Sequence, residues 1–341
     1  MSLRITIADI AHELKTTPAT VSRALNNHPS ISEKKKKVIR EAAVRLNYKR
    51  NKIAFSLRSG QSGLIGVIIP SAEINFFGSV VHGIESLANE HGYNIIMYQS
   101  NESRDHEAKG IEAFLSARVD GILVSIAKDT NEYSHFINAK ESKIPIVFFD
   151  RTNMDLGINS VVIDDYKGAF IATQHLLEQG YKRIAHITGP SHLKIFNDRL
   201  KGYMGALQAN KIKIDFDLVY QGDVSIEAGR KGVKHFLTLS APPDAVFAVE
   251  DFTALGVIKE LKENNLRIPE DFGVIGFANE GFGQHITPTL STIDQQTVQM
   301  GKESFRLLLQ MINNGENLVL PHKIVLDPIP IFRASSNRLK N

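Results

Sequence analysis

The 341-residue chain contains no cysteine. That absence excludes disulfides, a thiol nucleophile and any cysteine-based zinc site. No stretch approaches the roughly 18 consecutive apolar residues that span a membrane. The N-terminus has no apolar leader either, because Asp9, His12, Glu13 and Lys15 interrupt it. A cytoplasmic protein without membrane contact is therefore expected. Histidines are scattered, with no H-E-x-x-H pair, and neither a G-x-S-x-G elbow nor a P-loop occurs. The chain is expected to be no enzyme and to need no metal or cofactor.

What is present is an uneven charge. The net charge is only +3, yet residues 1–60 hold 13 Lys/Arg against 4 Asp/Glu. This N-terminal piece carries +9 and the other 281 residues carry −6. A basic head on an acidic body is the footprint of nucleic-acid binding confined to one end. The length suggests about two to three domains.

Within the head, Thr6 is placed to N-cap a first helix with Asp9 at the third position. Ile7, Ile10, Ala11 and Leu14 give it one apolar face. After a turn at Lys15-Thr16, Thr17 caps a second helix and Pro18 takes its first position, where a missing N–H costs nothing. Val21, Ala24 and Leu25 face inward, leaving Thr17, Ala19, Thr20, Ser22, Arg23 and Asn26 outward or at the edge. Small and polar side chains on an outward face suit a helix that enters the DNA major groove. A third helix starts at the Ser32 cap, with Val38, Ile39, Ala42, Ala43 and Leu46 as its apolar positions. Lys34 to Lys37 lie in its first turn, where cations oppose the helix dipole. That run is either a solvated face or a set of phosphate contacts. Gly60 and Ser62 mark a linker.

These residues resemble the head of LacI/GalR-type bacterial transcription regulators. The resemblance rests on Thr6, Asp9-Ile10-Ala11, Thr20-Val21-Ser22-Arg23-Ala24-Leu25-Asn26, Ile31-Ser32, Leu46-Asn47-Tyr48 and the register Asn51, Ala54, Leu57. It implies a dimer on near-palindromic double-stranded operator DNA. In that pattern Pro18, Ala19 and Arg23 read base edges, and an arginine there can pair bidentately with guanine. Thr6, Thr17, Thr20, Ser22, Asn26, Ser32 and Tyr48 fall where the family contacts the DNA backbone. Leu57 falls where a leucine wedges into the minor groove. Two departures stand out: Lys15 replaces the usual turn glycine, and Arg50 the usual proline before the hinge.

In the body, apolar runs alternate with amphipathic stretches. Runs such as Leu64–Pro70, Gly121–Ile126, Pro145–Asp150, Arg183–Gly189 and Ala245–Glu250 alternate with helical segments such as Gly78–His91 and Asp198–Asn210. Spacings near 25–35 residues are those of βα units in parallel sheets. The body is similar to the two-lobed sugar-binding-protein fold of the same family. The implied fold class is an all-α helix-turn-helix head plus an α/β, periplasmic-binding-protein-like body with parallel sheets. The expected segments are a head at 4–48, a hinge helix and linker at 49–62, and a body at 63–341. The body's first lobe is expected at about 63–162 and 292–320, its second at about 163–291 and 321–333.

Ligands in such folds lie at the carboxyl ends of parallel strands. Phe76, Phe77, Ser125, Asp150, Arg199, Asp251 and Asn279 are the residues expected to hold a small-molecule effector, a carbohydrate or derivative. Phe77 has an alternative place in the core, and Asp251 as a helix cap. Where many relatives have Gly-[YF]-Asp-[DN], this chain has Gly276-Phe277-Ala278-Asn279, so the acid is missing at Ala278 with Asn279 as its replacement, and together with Arg199 this suggests an acidic sugar. The reading is a ligand-responsive repressor. A solute-binding receptor without a DNA role is the alternative, and the basic head argues against it.

Overall fold

A computed structural model of the chain describes residues 5–48, 61–314 and 322–338. They fall into two compact units that divide between Ser62 and Gly63. The expected hinge residues Asn51, Ala54 and Leu57, and the departure at Arg50, lie outside the described residues.

The described residues of the first unit form three helices, Ile7–Glu13, Pro18–Leu25 and Glu33–Arg45. Thr6 and Asp9 form a reciprocal capping box on the first. Thr17 Oγ1 accepts the Thr20 amide at 3.2 Å to cap the second. Ser32 takes the N-cap of the third without a side-chain hydrogen bond. Ile10, Ala11, Val21, Ala24, Ile39, Ala42 and Ala43 make one small core. Val38, expected in that core, is 46% exposed. Positions 39, 42, 43 and 46 complete the stripe without it, because they repeat at the helical i, i+3, i+4, i+7 spacing.

The second unit contains two parallel sheets. Strands are numbered in chain order: β1 Leu64–Ile69, β2 Asn94–Gln99, β3 Gly121–Val124, β4 Ile146–Phe149, β5 Asn159–Ile163, β6 Ile184–Thr188, β7 Val219–Gln221, β8 Ala245–Ala248, β9 Gly273–Ile275, β10 Thr292–Asp294, β11 Lys323–Leu326 and β12 Ile329–Ile331. One lobe carries the order β11-β5-β4-β3-β1-β2 and the other β7-β6-β8-β9. Val, Ile, Leu, Phe and Ala, with Gly121 opening β3, fill β3, β4 and β8, which are buried along their whole length, as parallel strands covered on both faces must be. Each lobe has its own apolar core on each side of its sheet.

The lobe boundaries need one correction. Residues from 321 onward were expected in the second lobe, but β11 pairs in parallel with β5 in the first lobe's sheet, Lys323 opposite Ser160. The reason is packing. Ile324 and Leu326 join the first lobe's core, which the preceding helix Thr297–Asn314 already covers. That helix lies close against Asn75–Glu90 because both present glycine. A Cβ on Gly83 would stand 2.2 Å from the Val298 carbonyl, and one on Gly301 2.1 Å from that of Val80. The chain returns after β11 to form β12, which among the described residues pairs only with β10, antiparallel. Pro330 sits in this two-stranded edge, where a missing donor is tolerated.

Candidate ligand cleft and DNA-contact face

The carboxyl ends of the strands in both lobes converge on a cavity of about 470 Å³. From the first lobe it is walled by Phe76, Phe77, Glu102, Asp150 and Arg151, and from the second by Phe196, Arg199, Glu250, Phe252 and Gln295. The size falls within the usual range of small-molecule sites. Four non-glycine residues on this wall have left-handed backbones: Glu102 (φ +60°), Asp150 (φ +60°), Val224 (φ +64°) and Ala278 (φ +129°). Such conformations cost energy and concentrate at functional sites.

Asp150 ends the buried β4 run and is 7% exposed. Burial pushes its carboxyl above the ordinary range, against the pull of Arg151 and Arg199. Its partners are weak: Arg151 Nε is 3.9 Å away, and the buried Ser125 hydroxyl lies beside it. Arg151 donates from Nη1 to Glu102 Oε2 at 2.7 Å, while its buried Nε has no hydrogen-bond partner. Asp150 therefore stands at the cavity wall beside the Arg151 guanidinium with accepting capacity unused. Phe77 lies under Arg151, ring centroid 5.8 Å from the guanidinium carbon. Phe76 and Phe77 meet edge to face at 5.1 Å, and both also belong to the first lobe's core.

Arg199 is committed within the protein. It donates to Asp165 at 2.8 Å, to the Val249 carbonyl at 2.7 Å and to Gln295 Oε1 at 3.2 Å. Its guanidinium also lies 3.8 Å above the Phe277 ring. Burial pushes Asp165 up to about 6 despite this partner. Glu250, the N-cap of Asp251–Glu263, is pushed up to about 8 by burial and then by Asp251 and Glu280. Arg199 and Asn279 are both committed within the protein, and the suggestion of an acidic sugar drawn from them is withdrawn.

Of the seven residues expected to hold the effector, Phe76, Phe77, Asp150 and Arg199 line the cavity together, and three do not. Ser125 sits behind Asp150. Asp251 is fully buried, accepting the Glu280 amide and the Thr292 hydroxyl, both at 2.7 Å. Asn279 is turned to Asp294 at 2.9 Å and Arg333 at 3.0 Å. Sequence reasoning missed Arg151, Glu250 and Gln295. The first two adjoin residues it chose, at the ends of β4 and β8, whereas Gln295 carries no local signal. Hydrogen bonds cross between the lobes at the rim, among them His192 Nε2 to the Lys128 carbonyl at 2.6 Å and Asn75 Nδ2 to Glu280 Oε2 at 3.2 Å.

In the head, Thr17, Pro18, Ala19 and Arg23 are exposed together on the second helix, and Arg23 has no partner among the described residues. Thr6 is tied to Asp9, and the Thr17 and Thr20 hydroxyls to each other at 2.9 Å. Asn26 donates to the Ser22 carbonyl. Ser32 is exposed and Tyr48 packs at the edge of the core. The lysine run divides: Lys34, Lys35 and Lys37 are exposed, whereas Lys36 is buried against the helix and bonds Glu33 at 2.7 Å. Lys15, at the departure from the turn glycine, has φ +46°, a left-handed conformation that is costly with a side chain.

Residues 6–51 match the family described as bacterial regulatory proteins, lacI family, and residues 62–327 that of periplasmic binding proteins and the sugar binding domain of the LacI family. The chain belongs to the LacI family. It is 32% identical over 325 residues to the HTH-type transcriptional regulator RegA of Clostridium saccharobutylicum, covering 94% of this chain and 97% of RegA. It is 33% identical over 319 residues to the HTH-type transcriptional repressor CytR of Escherichia coli K12, covering 92% and 93%. The crystal structure of transcription regulator CcpA of Lactococcus lactis superposes with a TM-score of 0.73 at 29% identity, over 80% of this chain and 98% of that one. This LacI-family chain is accordingly a DNA-binding transcriptional regulator and not an enzyme. Among the described residues no helix is long and apolar enough to cross a membrane.

Proposed function

We propose that this LacI-family regulator is a cytoplasmic repressor that binds a near-palindromic operator as a homodimer, and that a neutral sugar or sugar derivative in the interlobe cleft shifts its affinity for DNA. The observation that carries the ligand reading is the Asp150–Arg151 pair. A buried carboxylate with only weak partners is costly. A ligand hydroxyl would donate to Asp150 beside the Arg151 guanidinium and relieve it. The ring's apolar face would lie against the Phe77 side of the cleft.

The DNA reading assigns base contacts to Pro18, Ala19 and Arg23 and backbone contacts to Thr6, Thr17, Thr20, Ser22, Asn26, Ser32 and Tyr48. The three exposed lysines of the third helix join the backbone contacts, and Lys36 does not. A homodimer is supported by β2, an edge strand with Ile96 37% and Met97 49% exposed, an unpaired apolar margin of the kind that associates. Ligand in the cleft would favour the closed arrangement of the lobes, and DNA affinity would follow its differential affinity for the two arrangements.

The test is a thermal-shift screen against neutral sugars, sugar acids and nucleosides, paired with salt-dependent operator binding. A neutral sugar should raise the melting temperature as its concentration exceeds its Kd, and Asp150→Asn should remove the shift. A sugar acid that binds better than its neutral parent would overturn the ligand class. DNA affinity independent of salt would overturn the DNA reading.

A further inference from the structure

The helix Asn75–Glu90 brings Phe76 and Phe77 to the cleft, but its own N-cap residue cannot cap it. Ile74 stands there, and an isoleucine side chain has no acceptor. The first amides of a helix need an acceptor from outside it, usually a side chain that reaches the second or third amide. Asn75 and Phe76 are the first two residues here.

The acceptor comes from the second lobe. Glu280, only 5% exposed, accepts from Asn75 Nδ2 at 3.2 Å through Oε2. Burial raises its carboxyl above the ordinary range, and the bonds from the Asn75 side chain and the Phe76 amide pull it back. The carboxylate thus sits at the positive end of a helix that belongs to the other lobe.

A strained turn holds Glu280 in this place. Ala278 and Asn279 before it are both left-handed, at φ +129° and +58°. Asp251 accepts the Glu280 amide at 2.7 Å. The Asn279 amide donates to Thr292 Oγ1 at 3.1 Å, and its side chain bridges Asp294 and Arg333. Strain of this kind persists only where the surroundings over-determine it. Asp251 and Asn279, which do not line the cavity, thereby acquire a role: they fix the turn that presents Glu280.

We infer that Glu280 is a positioning residue that caps the helix Asn75–Glu90 from the opposite lobe, so that the placement of Phe76 and Phe77 depends on the two lobes staying together. Separation of the lobes withdraws the cap, and the aromatic wall of the cleft loosens with it. The cross-lobe bond from His192 to Lys128 has no such consequence. Its acceptor belongs to a loop already held within the first lobe, where Glu102 accepts the Lys128 amide and Glu107 the Ala127 amide. The inference holds whichever class of ligand the cleft takes.

The experiment is amide hydrogen exchange of the full chain without added ligand, read by mass spectrometry. Glu280→Ala should speed exchange over residues 75–79 of the first lobe about fivefold, the scale of a lost helix cap. Exchange in the buried strand Ile146–Phe149 of that lobe should stay as in the wild type. Glu280→Gln, which keeps an acceptor oxygen, should restore most of the protection. Asn75→Ala, at an exposed position, reads the contact from the other side. It should speed exchange over residues 280–284 of the second lobe, although alanine itself favours the helix. Unaltered exchange over 75–79 in Glu280→Ala, or a change confined to the second lobe, would overturn the cross-lobe cap. Where Glu280→Ala melts early, unaltered exchange over 280–284 in Asn75→Ala would overturn it instead.

Discussion

Arg199 and Asp165 form an ion pair inside the second lobe, Nε to Oδ1 at 2.8 Å, with both side chains almost fully buried. Such a pair is weak evidence of net stability, but removing one partner leaves the other charge stranded, at a cost of about 3–5 kcal/mol. Arg199→Ala should therefore lower the body's urea midpoint strongly, before any effect on ligand is considered. Arg199→Lys should rescue little, because an ammonium cannot reproduce three directed bonds to Asp165, Val249 and Gln295. An unchanged urea midpoint in Arg199→Ala would show the pair to be idle.

Asp251 ties three segments of the second lobe. Its carboxylate accepts from the Glu280 amide and the Thr292 hydroxyl, and it lies so close to Gly276 that a Cβ there would be 2.1 Å from Oδ1. Two charge-assisted bonds at about 1.5–3 kcal/mol each set the scale. Asp251→Ala should destabilise the body by about 2–4 kcal/mol in denaturant melts, while the folded fraction keeps its ligand Kd within a few fold. A variant that melts normally but fails to bind would return Asp251 to the ligand site.

The fold was readable because its signals are local and repeated. The capping pair Thr6 and Asp9, Thr17 before Pro18, and fully apolar runs such as Ile146–Phe149 each indicate one element without reference to the rest. The site was half readable for the same reason. Asp150 and Arg199 sit in recognisable motifs and do line the cavity. Asp251 and Asn279 sit in equally recognisable motifs, but what they face is decided by Thr292, Asp294 and Arg333, distant in sequence. Lys36 failed differently. In a run of four identical residues, helical phase alone turns one of them onto the helix's buried side. β11 was misplaced because strand partnership is a long-range choice, and a short segment such as Lys-Ile-Val-Leu fits either sheet.

Arg23 and Lys35 should separate the two kinds of DNA contact. Arg23 is exposed on the second helix next to Ala19 and Thr20, whereas Lys35 is exposed on the third. Arg23→Ala should cost about 1–3 kcal/mol on the operator and relax preference at one base pair. Lys35→Ala should weaken operator and random DNA alike and reduce the salt slope by about 1. Lys36→Ala should change neither slope nor preference. Fluorescence anisotropy at several salt concentrations would decide it, and a lost slope in Lys36→Ala would contradict its burial.

Glu250 should make stability fall with pH on the alkaline side of neutrality. In the folded protein its carboxyl holds the proton up to about 8, against 4.5 in the ordinary state. The folded state therefore binds more protons than the unfolded chain between these values, and stability declines as pH rises through about 8. Asp165 and Asp251 add the same sign but finish near 6. His175 and His186, lowered to about 4, have the opposite sign, adding stability as pH rises to the ordinary 6.5, and then contribute nothing further. The interval from pH 7 to 9 is thus where Glu250 stands out from these groups. The wild-type chain should lose about 1–2 kcal/mol across it, since one pKa unit is about 1.4 kcal/mol and Glu250 keeps some contact with solvent at the cleft. Glu250→Gln keeps the shape, removes the titration, and should flatten the melting profile over that interval. Parallel profiles for the two proteins would mean that Glu250 is already ionised at neutral pH, with Arg199 outweighing its burial.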